Sequence, residues 1–73
     1  MFIIGQRVMT KYGAGTVAHF EHIAHLNDAV QYVSTYTHGD RIGVTLDNPE
    51  NWPLSHTTNK PPYFVPADLT PIN

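Results

Sequence analysis

His19, His22 and His25 recur every third residue, and imidazole is the commonest metal ligand among side chains. On a helix that spacing lays the three rings along one slanted stripe, within reach in pairs. On a strand, residues three apart face opposite sides, and His19 and His25 share a face but lie about 20 Å apart. A metal site therefore depends on a helix here, and solvated or partner-facing histidines are the default. His38 and His56 stand too far along the chain to complete a set. No metal ligand or cofactor is assigned.

Trp52 is the second chemical landmark. It reads either as a lid that completes a small core or as an exposed anchor for a partner. Tyr12, Tyr32, Tyr36 and Tyr63 are candidates to surround it, with Asp47, Glu50 and Asn59 nearby. Aromatic faces beside a carboxylate attract methylated or protonated amines. Gly13-Ala14-Gly15 has the outline of a phosphate loop. A phosphate loop needs a helix directly after it, and the next residues, Thr16-Val17-Ala18-His19-Phe20, read as strand. With no cysteine in the chain, thiol nucleophiles, thiolate zinc sites and disulfides are out. Ser34 and Ser55 lie near histidines without a nucleophile elbow around them. Asp40, Asp47, Glu50 and Asp68 fall in turns, where carboxylates cap backbone. The expectation is a protein without enzymatic activity.

The elements that must position these residues are strands. Residues 31–47, QYVSTYTHGDRIGVTLD, read as a β-hairpin. Tyr32, Ser34 and Tyr36 alternate with Val33, Thr35 and Thr37. Ile42, Val44 and Leu46 alternate with Arg41, Gly43 and Thr45. Alternation is what a strand with one buried face requires. His38-Gly39-Asp40 supplies the reversal, with Gly39 at φ > 0 and Asp40 able to take αL. Residues 5–11 form a first strand with Val8 inward, and residues 12–15 form a turn. Residues 16–25 form a second strand whose apolar residues, Val17, Phe20 and Ile23, are spaced by three. A bend with a β-bulge explains that spacing, and a short helix over 20–30 is the rival. Leu26-Asn27-Asp28-Ala29 is the next reversal, and the strand after it pairs back onto the second. Residues 48–62 carry four of the six prolines, which rules out a central strand. Loops of that length are often functional. Tyr63-Phe64-Val65 is a short strand, Pro66-Ala67-Asp68-Leu69 a 3-10 turn, and Thr70-Pro71-Ile72 docks the end.

Seventy-three residues make one domain, 1–73, with a thin core. Chains this short hide only about 60% of their unfolded surface. Net charge is −2, and Arg7, Lys11, Arg41 and Lys60 are scattered. Nucleic-acid binders draw affinity from clustered cations, so that class is disfavoured as the main ligand. Only 14% of residues are charged, which suits a surface partly covered by something else. No stretch approaches a membrane span, and MFIIGQ is too short for a signal peptide. The reading is a soluble, cytoplasmic protein without a membrane partner.

The order strand, Gly-rich turn, bent strand, hairpin, loop, strand, 3-10 turn resembles an SH3-like barrel. Within that group it is most similar to the KOW, Tudor-like and CAP-Gly-like types. The matching stretches are GQRVMTKYGAGTVAHFE, RIGVTLDNPEN and PYFVPADLTPI, about two thirds of the chain. Gly43-Val44-Thr45-Leu46-Asp47-Asn48-Pro49 resembles a CAP-Gly segment. The GKNDG ligand motif of that family is replaced by Asn51-Trp52-Pro53-Leu54-Ser55-His56, so recognition of microtubule-type tails is not carried over. The plasmid-borne dihydrofolate reductases, also SH3-like, end similarly to Pro66, Leu69, Ile72 and Asn73 here. Their Val-Gln-Ile-Tyr run is replaced by Pro62-Tyr63-Phe64-Val65.

These resemblances imply an all-β, five-stranded SH3-like barrel with a short 3-10 turn before the last strand. The function expected is a small non-catalytic protein-binding module, of a kind a phage or mobile element could encode. Binding falls to residues 48–62 and the neighbouring tyrosines, or to an open strand edge. A KOW- or Tudor-like nucleic-acid module and an oligomeric reductase-like enzyme are the alternatives. The thin core and sparse charge also fit a homo-oligomer.

Overall fold

The computed structural model describes residues 1–72. Six strands make one antiparallel sheet: β1 (Arg7–Thr10), β2 (Gly13–Leu26), β3 (Ala29–Thr35), β4 (Arg41–Leu46), β5 (Tyr63–Phe64) and β6 (Thr70–Pro71). The order is β5-β4-β2-β1-β6, with β3 paired to β2. The fold is all-β. The sheet stays open, with six strands in place of the expected five-stranded barrel. Two 3-10 turns, Pro49–Asn51 and Pro66–Asp68, complete it, and the second precedes β6 as expected.

β2 organises everything else. Fourteen residues at a strand's rise would span about 43 Å, longer than the molecule's 38 Å maximum extent. The strand must bend, and a β-bulge between Val17 and His19 bends it. The expected bulge is therefore present, and no helix forms over 20–30. Past the bulge, Phe20 turns to the core while Glu21 points to the opposite face. Val8, Val17, Phe20, Ile42, Val44, Leu46, Phe64 and Leu69 make the core, with Phe2, Tyr12 and Trp52 packed on it.

The turns are set by backbone chemistry. Asn27 and Asp28 both have φ > 0, at 51° and 63°. That is the two-residue turn whose twist matches an antiparallel pair. The turn between β1 and β2 sits at Lys11-Tyr12, one step before the expected position. The Thr10 hydroxyl accepts the Tyr12 N–H and donates to the Gly13 carbonyl.

The expected hairpin over residues 31–47 does not form. β3 pairs β2 from Phe20 to Leu26, and β4 pairs β2 from Gly15 to Glu21. Phe20 and Glu21 have partners on both sides, so β3 and β4 occupy opposite edges of β2. Both run antiparallel to β2, hence parallel to each other. Residues 36–40 therefore do not reverse the chain. They carry it sideways across β2, about 10 Å at the usual strand spacing, which five residues span easily. Gly39 is needed for a different reason than φ > 0: a Cβ there would lie 2.7 Å from the Glu21 carbonyl carbon. Asp40 is not in αL. Its carboxylate instead accepts the Ile23 N–H, capping β2 where β4 has departed (3.2 Å).

Gly39→Ala should cost roughly 1–3 kcal/mol, the range for forcing extra atoms into a packed contact, read as a lowered denaturant midpoint. Asp28→Gly should raise Tm by several degrees, because relieving a left-handed non-glycine residue recovers up to about 1 kcal/mol in a domain this small.

Candidate functional site

The sheet face opposite the core carries one polar cluster, and it begins with Glu21. Glu21 is buried on β2, one of two buried polar residues among those described. A buried carboxylate needs a cation and donors. Its β4 neighbour Arg41 supplies the cation, with Nη2 donating to Oε1 at 2.7 Å. The Arg41 guanidinium lies between two tyrosine rings, its carbon 3.8 Å from the Tyr32 centroid and 4.4 Å from that of Tyr63. Its Nε is buried without a hydrogen-bond partner, so the rings are what cover it.

His19 completes the cluster. Its ring lies flat on Gly43, where a Cβ would come within 2.6 Å of the imidazole. Nε2 is 3.1 Å from the Tyr63 hydroxyl, and the two rings meet edge to face. Tyr63 also lies close enough to Glu21 to help hold its carboxyl down.

Burial alone would push the Glu21 carboxyl up. The hydrogen bonds from Arg41 and Tyr63 and the charges of Arg41 and His19 outweigh it, and the carboxyl sits below its ordinary 4.5. Burial and the adjacent Glu21 charge push the Tyr63 phenol up.

His19 also closes one end of a groove of about 460 Å³ between β4 and residues 48–62. The groove's walls are largely apolar, from Leu46, Pro49, Trp52, Pro61 and Pro62, with Ser55, Asn59 and Lys60 among its polar groups. Residues 48–62 hold their shape by consecutive turns: Trp52 N–H donates to Pro49, Ser55 to Trp52 and Thr57 to Leu54. Trp52 is half-buried. It packs on the core, as a lid does, and also lines the groove.

The tyrosines and acids expected around Trp52 do not form one group. Trp52 and Asn59 share the groove, and Glu50 lies on the adjoining turn, exposed. Tyr12 packs on Phe64 at 6.0 Å and is capped by Lys11. Tyr36 is 74% exposed at the start of the crossover. Asp47 pairs with Arg7 through two bonds of 2.7 and 2.5 Å on the surface. The Arg7 hydrogen bond, then its charge, hold the Asp47 carboxyl below the ordinary range. Tyr32 and Tyr63 do make an aromatic pair beside a carboxylate. The cation between them is the chain's own Arg41, and the carboxylate is Glu21, which sequence reasoning passed over. The signal was available: Glu21 is the one acid within β2, on the opposite side from Phe20.

Among the described residues no three or more His, Cys, Asp or Glu side chains converge on a point. His22 stacks on His38 of the crossover, 5.7 Å apart, not on His19 or His25. Among the described residues no helix is long and apolar enough to cross a membrane. Comparison with protein families, with curated proteins and with solved structures found no match.

Glu21→Gln should destabilise the fold by roughly 1.5–3 kcal/mol at neutral pH, the range for a hydrogen bond to a charged group. Because the folded carboxyl lies below its unfolded value, its contribution is complete above 4.5 and is lost as pH falls through the folded value. Thermal melts should therefore show wild type and Glu21→Gln converging in Tm below pH 4.5. A constant gap down to pH 2 would contradict this account of the cluster.

Proposed function

We propose that this chain is a non-catalytic protein-binding module whose groove receives an apolar side chain from an extended partner segment. The observation that carries this is the groove itself. Its volume falls in the range of built ligand sites, and its lining is apolar with a few polar groups, the usual make-up of such sites. Trp52 offers a ring of the kind enriched at binding hot spots, fixed from behind by the core. Ser55 Oγ, on the groove wall, is buried and has no hydrogen-bond partner, so it retains capacity for a ligand's polar group.

Two further observations support binding over catalysis or nucleic-acid association. Ser55 Oγ lacks the neighbouring base a nucleophile requires. Of the four cations, Arg7 and Arg41 are neutralised by Asp47 and Glu21, and Lys11 sits over Tyr12. That leaves Lys60 alone beside the groove, far short of a phosphate-tracking stripe.

The test is to pan a random peptide library against the chain and titrate the selected peptides while recording Trp52 fluorescence. A consensus with one large apolar position is expected, with an emission shift on binding. Asn59→Arg, which fills the groove from an exposed position, should weaken binding at least tenfold and leave Tm unchanged. Raising salt from about 50 to 500 mM should change affinity less than threefold, since few phosphate-type contacts are available. Binding that ignores Asn59→Arg, or that collapses with salt, would refute the groove reading.

A further inference from the structure

The sheet has several places where another strand could add, and β3 is the least protected of them. β5 is two residues long, preceded by Pro61 and Pro62 and followed by Pro66. β6 is equally short and contains Pro71. The stretch of β2 beyond β4 is capped by Asp40 at Ile23. Short strands, prolines and inward charges are the devices by which proteins protect sheet edges. β3 has none of them. It runs seven residues, AVQYVST, with no proline, no charge and no bulge in its pairing with β2. It pairs β2 on one side only.

Asp40 fixes which backbone groups of β3 face outward. Because the Ile23 N–H points to Asp40, it points away from β3, so Ile23 and Tyr32 form a non-hydrogen-bonded pair. Ladder alternation then makes His22–Val33, Ala24–Gln31 and Leu26–Ala29 the bonded pairs. The last of these flanks the two-residue turn, as such turns require. The N–H and C=O groups of Val30, Tyr32 and Ser34 therefore point outward. No hydrogen bond among the described residues uses them.

We propose that the outer edge of β3 is a self-association surface that takes the β3 of a second copy, antiparallel and centred on Tyr32. A second copy is the occupant the edge itself specifies. Aligned about Tyr32, Val30 meets Ser34 of the second copy, Tyr32 meets Tyr32, and Ser34 meets Val30. Every outward group then has a partner, and each pair exchanges both of its bonds. The symmetry is two-fold, so one uncharged edge satisfies both chains at once. Like charges, which would oppose such pairing, are absent from the strand, and a Tyr–Tyr pair adds aromatic contact. Val30 and Tyr32 are 61% and 45% exposed in the single chain and would lose water together. This surface is separate from the groove at Trp52, so each can fail without the other.

The test is sedimentation equilibrium with residue-resolved hydrogen exchange on the full chain. Average mass should climb from 8.2 kDa toward twice that between roughly 10 µM and 1 mM, the affinity range of a small interface. Exchange at Val30, Tyr32 and Ser34 should slow at least tenfold over the same range. Gln31 and Val33, already bonded to β2, should change little. Ser34→Pro and Val30→Pro each delete one outward donor and leave the β2 ladder intact; either, if folded by circular dichroism, should remain monomeric at 1 mM. Trp52→Ala should associate like wild type. A mass fixed at 8.2 kDa, protection without the even-odd pattern, or a folded proline variant that associates like wild type would overturn the proposal.

Discussion

A single buried carboxylate dictates much of the outer face. Once Glu21 sits on β2 opposite the core, it needs a cation and at least one further donor. Arg41 must then begin β4 beside it, Tyr63 must bring β5 within reach, and His19 must hold Tyr63 in place. Tyr32 covers Arg41 from β3, so four strands meet at one ion pair. Buried ion pairs rarely improve net stability over apolar packing, but they penalise arrangements that leave one partner alone. Here that penalty falls on any structure in which β3, β4 and β5 are not gathered around β2.

The core contributes in a different way. Phe20 and Ile42 face inward because Glu21 and Arg41 face outward, and the pleat permits no other assignment. The bulge at Val17 to His19 re-aims His19 toward Gly43 and brings its ring to the end of the groove. One irregularity in β2 thus connects the ion-pair cluster to the cleft beside Trp52. Groove and β3 edge lie on different elements, so the two proposed surfaces are independent.

Local features of this fold were legible from residue types. Val8 inward, the bend at Val17 to Phe20, the Asn27-Asp28 turn and the 3-10 turn after Pro66 each rest on nearest-neighbour chemistry. The β3–β4 relation was not. His38-Gly39-Asp40 has the composition of a tight reversal, yet the same residues serve to step across β2. Gly39 is required there for contact with Glu21, a residue far back along the chain. Composition reports that glycine is needed, not whether conformation or space is the reason. The groove was half legible: Trp52 and Asn59 stood out as types, while the scattering of the tyrosines depends on which strand each ends up in. Four tyrosines around Trp52 were expected to hold a ligand's amine; Tyr32 and Tyr63 instead flank the chain's own Arg41, a pairing that depends on how β2 gathers β3, β4 and β5.

The sideways step of residues 36–40 has a consequence for how rigid β3 can be. Most protruding hairpins are fastened at one end and fray at the other. This one is closed at its tip by the two left-handed residues and at its base by a strap seated on the Glu21 backbone. Sliding β3 by two positions, about 7 Å at strand rise, would pull Gly39 off the Glu21 backbone on which it packs. The strand is held like a beam clamped at both ends, so its outer edge is presented at a fixed height. A second copy pairing there, as proposed, would find the register of β3 already set at both ends.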